Sequence, residues 1–126
     1  MAYLNSTRRL GLRLGGRNES RNLAVYADAD FAGDEESRNS VTGNCIYYGD
    51  SLISWTSKKQ KLIATSLTEA EFLSAFYSLQ DLRCVDQLIQ GIFPNTPRKI
   101  IFYQDNQSCI ALIKNKSSKG RSNILT

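Results

Sequence analysis

Leu23-Ala24-Val25-Tyr26-Ala27-Asp28 is an apolar run of strand length that closes on a carboxylate. Ile100-Ile101-Phe102-Tyr103-Gln104, followed by Asp105, repeats that arrangement far along the chain. Both read as strands, and the bulky second one reads as buried on both faces. A long connection between two such strands suits parallel neighbours. Side by side, they place Asp28 and Asp105 at a shared end of the sheet, where ligands collect in open α/β sheets.

The sequence between them supplies the rest of the sheet. An acidic, glycine-containing loop at 30–36 leads to a second strand at Val41–Tyr48, rich in β-formers. Gly49-Asp50 makes a tight turn into a third strand at 51–57. Ser66-Leu67-Thr68-Glu69 has the form of a capping box, in which Ser66 and Glu69 satisfy each other's end of a helix. Leu73, Phe76, Leu79, Leu82, Val85 and Leu88/Ile89 then recur at helical spacing, and Gly91 and Pro94 stop the helix. A shorter helix at 107–116 is expected to turn Ile110, Leu112 and Ile113 inward. The order β, β, β, α, β, α gives an α/β fold, a mixed sheet with helices packed on it. Residues 3–22, broken by Gly11, Gly15 and Gly16, have little to bury and read as the end of a preceding element.

With 126 residues, 41% apolar and 22% charged, the chain suits one globular domain able to bury a core. No apolar run approaches the ~18 residues of a membrane span. Met1-Ala2-Tyr3-Leu4-Asn5 lacks the basic-then-apolar order of a signal peptide, so no membrane is expected as a partner. There is no histidine, which removes histidine-based triads, Cys/His zinc sites and HExxH metalloproteases. Cys45, Cys84 and Cys109 are odd in number and lack CxxC spacing, which favours an intracellular, reducing compartment. Charge is patterned. Residues 1–22 hold five basic residues and one acid, 23–97 hold five and ten, and 98–126 hold six and one. An acidic centre between basic flanks suits a protein that holds cations and touches a polyanion.

Three carboxylates fall at element boundaries: Asp28, Glu71 and Asp105. Each has a plain alternative. Asp105 before a helix reads as an N-cap, and Glu71 near a helix start meets the dipole favourably. Asp28 beside Val25 and Tyr26 needs a partner, and the nearby sequence offers no Arg or Lys for it. Three anions brought together repel unless one protonates. A pair of divalent cations resolves that conflict. Hard oxygen ligands with an incomplete protein shell suit Mg²⁺, and two such ions would clamp an in-line displacement at phosphorus. Trp55 reads as core on the hairpin, and the Tyr and Phe residues as mostly core, which argues against a single-strand stacking module.

Tyr26-Ala27-Asp28-Ala29-Asp30-Phe31-Ala32-Gly33-Asp34 resembles the opening motif of the ribonuclease H domain in copia-type (LTR) retrotransposon polyproteins. The resemblance continues through Arg38-Asn39-Ser40-Val41-Thr42-Gly43, Ser54-Trp55-Thr56-Ser57-Lys58-Lys59-Gln60, Ser66-Leu67-Thr68-Glu69-Ala70-Glu71-Phe72 and Asp105-Asn106-Gln107-Ser108. It implies a ribonuclease H-like domain at 23–126, with 1–22 as the tail of a reverse transcriptase connection segment. It also implies an endonuclease that cuts the RNA strand of RNA–DNA hybrids during reverse transcription, using two Mg²⁺ ions or Mn²⁺ in their place. Asp28 would bridge both ions, Glu71 would hold one near the 2′-hydroxyl, and Asp105 would complete the other. Asp30 matches a position that is not a metal ligand. Thr68 and Gln107 would feel the hybrid's minor groove, and Lys58, Lys59 and Lys61 would contact phosphates. Without the resemblance those lysines read as solvated charge. The implied partner is the reverse transcriptase domain of the same polyprotein, in a cytoplasmic virus-like particle or the nucleus.

The family's pattern continues with a Lys-His-Ile-Asp segment, a further strand, and a helix bearing a fourth metal-site Asp. Arg121-Ser122-Asn123-Ile124-Leu125-Thr126 stands where the first of these would fall, without its His or Asp. The expected fold is therefore one whose last strand and helix are missing, with a sheet edge or layer uncovered. Two readings of function stay open: an active ribonuclease H, and an inactive retroelement remnant that at most binds nucleic acid. A DDE-type integrase core is disfavoured, because the carboxylate order here is Asp, Glu, Asp.

Overall fold

A computed structural model describes residues 1–15 and 20–117. Arg17 and Glu19 of the basic leading segment, and 121–126 where the resemblance departs, lie outside the described residues. The elements run α1 (Ala2–Thr7), β1 (Leu23–Asp30), β2 (Val41–Tyr48), β3 (Ser51–Lys59), α2 (Leu67–Ile92), β4 (Ile100–Tyr103) and α3 (Gln107–Ser117). The four strands form one mixed sheet in the order β3-β2-β1-β4, with β1 and β4 parallel and the other pairs antiparallel. This is the α/β architecture expected, consistent with a ribonuclease H-like fold. β1 and β3 each run two residues further than expected, and α3 one residue further.

The hairpin between β2 and β3 turns on Gly49 and Asp50, with Tyr48 paired to Ser51. Gly49 sits at φ +60°, as the first central residue of a type II′ turn requires. A methyl group there would lie 2.6 Å from the Ser20 carbonyl oxygen. Gly49→Ala therefore meets both an unfavourable backbone region and a rigid obstacle. It should lower stability by about 1–3 kcal/mol in denaturant titrations. A loss below a few tenths of a kcal/mol would show that the turn relaxes freely.

Ser66 caps α2 as expected, its hydroxyl accepting from the Glu69 N–H at 3.2 Å. The other half of the box differs. Glu69 accepts from the backbone and hydroxyl of Thr65, each at 2.7 Å, rather than from Ser66. Gly91 lies inside α2, and the helix ends at Ile92 with Pro94 just beyond.

α2 meets the sheet through Ala70, Ser74, Ala75 and Ser78, whose small side chains allow close approach, and then through Leu82 and Ile89. Ala75, Leu82 and Ile89 join Leu23, Val25, Ala27, Ile46, Phe102 and Cys109 in the main core, while Ala70 packs with Ala29 and Ala64. Phe76 and Leu88, expected inward, are exposed, because the small-residue stripe rather than the bulky one faces β1 and β2. In α3 the buried position is Cys109, while Leu112 is exposed.

Both α2 and α3 contribute to the core on one face of the sheet. Among the described residues no strand or helix packs on the other face. That face carries a row in strict register, Trp55–Cys45–Tyr26–Tyr103, one residue from each strand. Tyr26 and Tyr103 stack at 4.5 Å, and Tyr47 meets Tyr26 edge-on at 5.7 Å. Two expectations are corrected here. Trp55 is 68% exposed rather than core, and β4 is not buried on both faces: Phe102 is in the core, while Tyr103 on the bare face is exposed. Trp55 is the single tryptophan, so intrinsic fluorescence reports this position alone. Its emission should match that of an indole in water and be quenched by iodide. A blue-shifted, unquenched emission would place it in a dry environment.

Candidate metal centre

Register and pleat bring the three acids together. β1 sends Leu23, Val25, Ala27 and Ala29 into the core, so Asp28 emerges on the opposite face. The Ser74 hydroxyl of α2 donates to the Asp28 carbonyl, pinning that end of β1 to the helix. β4 pairs in parallel with the first half of β1, which carries the chain past Tyr103 to Asp105 beside Asp28. Glu71 comes from the second turn of α2 and is 5% exposed.

Each of the three residues offers a carboxylate oxygen within 4.8 Å of the others. Asp28 Oδ1 accepts from the Ala29 N–H at 2.9 Å, and none of the three forms a salt bridge among the described residues. Burial pushes the Glu71 carboxyl above its ordinary range; the Gln104 amide draws it back, and the charges of Asp28 and Asp105 raise it again. A buried carboxylate facing two more is unfavourable by itself. Oxygen donors at this spacing fit a hard divalent cation, which removes the conflict.

Asp105 is not the cap of α3. Asn106 is: its side-chain oxygen accepts from the Cys109 N–H at 2.8 Å. The Asp105 carboxylate is left exposed beside Asp28 and Glu71. Gln104 is a residue that sequence reasoning missed. Its Nε2 donates to Glu71 at 3.1 Å while its Oε1 accepts from the Asp105 N–H at 2.8 Å, so one amide orients two of the acids. The available signal was a polar residue closing an apolar strand just before a carboxylate. Cys109 is buried, and burial followed by the Glu71 charge raises its thiol, which leaves it a core residue rather than a nucleophile.

The other expected site residues lie on α2, α3 and β3. Thr68 is half-buried one turn before Glu71 on α2, and Gln107 is exposed at the start of α3. Lys58 and Lys59 are exposed at the end of β3. Lys59 is drawn to Asp34 in the β1–β2 loop at 2.9 Å. The Ser37 hydroxyl, then Lys59 and the Ser37 N–H, lower the Asp34 carboxyl to about 2. Asp30 is exposed and outside the carboxylate cluster. An open groove of about 1090 Å³ runs over the bare sheet face, past Trp55, Tyr26 and Tyr103, to Asp28 and Asp105.

The chain is 34% identical over 122 residues to the Retrovirus-related Pol polyprotein from transposon TNT 1-94 of Nicotiana tabacum, a match covering 97% of this chain and 9% of that protein. It is 34% identical over 115 residues to the Retrovirus-related Pol polyprotein from transposon RE1 of Arabidopsis thaliana, covering 91% of this chain and 8% of the polyprotein. The chain is homologous to retrotransposon Pol polyproteins. This Pol-related chain is also 40% identical over 81 residues to Secreted RxLR effector protein 161 of Plasmopara viticola, covering 64% of the chain and 56% of that protein. It thus spans less than a tenth of the two polyproteins. No family model matches it, and no solved structure matches it. No helix among the described residues is long and apolar enough to cross a membrane.

Proposed function

We propose that this chain is the ribonuclease H part of a retrotransposon Pol polyprotein, cutting the RNA strand of RNA–DNA hybrids in a divalent-metal-dependent reaction. The observation that carries the reading is the convergence of Asp28, Glu71 and Asp105 from three separate elements. Asp28, Glu71 and Asp105 would hold the Mg²⁺ or Mn²⁺ ions. Bound there, the ions would activate a water and stabilise charge on the attacked phosphate. The chain's own residues prepare that site: Gln104 orients Glu71 and Asp105, and Ser74 fixes the β1 end that carries Asp28. Thr68 and Gln107 would meet the minor groove, whose 2′-hydroxyls distinguish RNA from DNA. Lys58 and Lys59 would hold phosphates without reading sequence. The reverse transcriptase part of the same polyprotein is the proposed partner.

The second reading, a remnant that at most binds nucleic acid, is favoured by one observation: a row of exposed aromatics borders the carboxylates. Incubating a labelled hybrid with the full chain in Mg²⁺ or Mn²⁺ separates the two. Cleavage of the RNA strand to 3′-hydroxyl and 5′-phosphate ends supports the hydrolase. Binding without cleavage by a folded chain supports the remnant.

A further inference from the structure

Gln104 carries a polar hydrogen at the carboxylate cluster that the fold itself does not use. The residue follows β4 directly, next to Tyr103, whose ring stacks on Tyr26, and it is half-buried. Its Oε1 accepts from the Asp105 N–H at 2.8 Å and, at a longer 3.4 Å, from the Asn106 N–H. Two backbone donors on the oxygen decide which way the amide faces, so the NH₂ group is the end turned toward Glu71. A side-chain amide nitrogen has two hydrogens to donate. One goes to Glu71 Oε2 at 3.1 Å, and among the described residues the other has no acceptor. Gln104 also lines the open groove together with Asp28 and Asp105, so a ligand lying along that groove meets this amide as it reaches the acids.

What the free donor suits follows from what its neighbours cannot do. Ionised carboxylates only accept hydrogen bonds. A ligand hydroxyl can donate to them, but an oxygen that is itself only an acceptor finds no donor on the side chains of Asp28, Glu71 or Asp105. The non-bridging oxygens of a phosphodiester are of that kind, and their charge strengthens a hydrogen bond from N–H. A lysine or arginine at this position would be drawn into ion pairs with the acids. A neutral amide satisfies one acid and keeps a hydrogen free. Because folding has already ordered the side chain, binding does not have to order it again.

We infer that the free Nε2 hydrogen of Gln104 donates to a non-bridging oxygen of the phosphodiester held at Asp28, Glu71 and Asp105. Gln104 is then a substrate-binding residue as well as the group that orients two of the acids. The inference rests on the hydrolase reading for the presence of a nucleic-acid strand at the acids.

Proton–nitrogen NMR of the full chain, labelled at glutamine, reads the two hydrogens separately, and the pair of signals missing from Gln104→Met identifies them. The ligand is an RNA–DNA hybrid with methylene in place of each 3′-oxygen of the RNA strand, added in Mg²⁺. That change removes the leaving oxygen and keeps the non-bridging oxygens and the 2′-hydroxyls. The hydrogen on Glu71 should hold its position. The other should move downfield when the hybrid is added, and Mg²⁺ alone should leave it in place. A counterpart with 2′-fluorine on the RNA strand should give the same shift. A bound hybrid that leaves the second hydrogen unmoved overturns the contact. So does release of the amide from Glu71 when Mg²⁺ binds, or a shift lost with 2′-fluorine, which would assign the hydrogen to the ribose. Failure of the hydrolase reading shows differently: the natural hybrid would stay uncut in Mg²⁺ while the shift persisted. A hybrid that does not bind at all removes both.

Discussion

The Asp28→Asn variant is expected to cut the RNA strand of a hybrid more than about a hundredfold more slowly than the wild type. Changing even an outer-shell partner of a metal ligand costs roughly 10–100-fold in affinity or activity, and Asp28 is placed to be a ligand itself. The substitution preserves shape and removes one negative charge. Asp28 is exposed and forms no salt bridge among the described residues, so stability should hold near the wild-type value. Asp30→Asn is the matched control. It removes the same charge two residues away, outside the cluster, and should leave the rate within about twofold, in line with the small effects of surface substitutions. Cleavage rates of the two variants, measured beside thermal melts, separate a ligand from general acidity of the loop. Equal losses in both would count against the carboxylate site.

Mg²⁺ should raise the melting temperature of the wild type, and Glu71→Gln should abolish most of that rise. The cause lies in the charge the fold brings together. Burial, together with Asp28 and Asp105, lifts the Glu71 carboxyl above its ordinary range, although the Gln104 amide opposes this. The folded-state value thus exceeds the unfolded one. Between the two, the metal-free native protein holds more protons than the unfolded chain, and stability falls as pH rises through that window. Below the unfolded value the penalty vanishes, because both states are protonated. At neutral pH a bound divalent cation offsets the repulsion. With free Mg²⁺ a hundredfold above its dissociation constant, one site adds about 2.7 kcal/mol. For a chain of this size that is roughly 10 °C. Glu71→Gln relieves the repulsion without metal, so its metal-free melting temperature at neutral pH should exceed the wild type's. Differential scanning fluorimetry from pH 4 to 8, with and without Mg²⁺, reads both effects. A wild type indifferent to Mg²⁺, or a Gln variant that keeps the full rise, would contradict the site.

Local chemistry made much of this architecture legible. The limits of β2, the Gly49-Asp50 turn and the Ser66 cap each depend on a few adjacent residues, and each stands where the sequence pointed. The parallel pairing of β1 and β4 followed from the long connection between two apolar runs, and it brings Asp28 and Asp105 together. What stayed hidden depends on which neighbours are present. Helical spacing named Phe76 and Leu88 as core, yet the face of α2 against the sheet is built on Ala70, Ser74 and Ser78. Periodicity tracks bulk, whereas close packing on a sheet selects smallness. Trp55, Tyr26 and Tyr103 have the apolar character of core residues, but their exposure turns on whether anything covers that face. The sequence offered Asp105 as a cap of α3, because a carboxylate just before a helix suits that role. Only the backbone geometry assigns it to Asn106.

Electron paramagnetic resonance titration with Mn²⁺ tests the central claim most directly, because it counts bound ions without requiring turnover. The wild type should take up two ions per chain, and Asp28→Asn, Glu71→Gln and Asp105→Asn should each weaken or remove at least one. A folded wild type that binds none, or three variants that bind as it does, would show that the convergence of these acids is not a metal site.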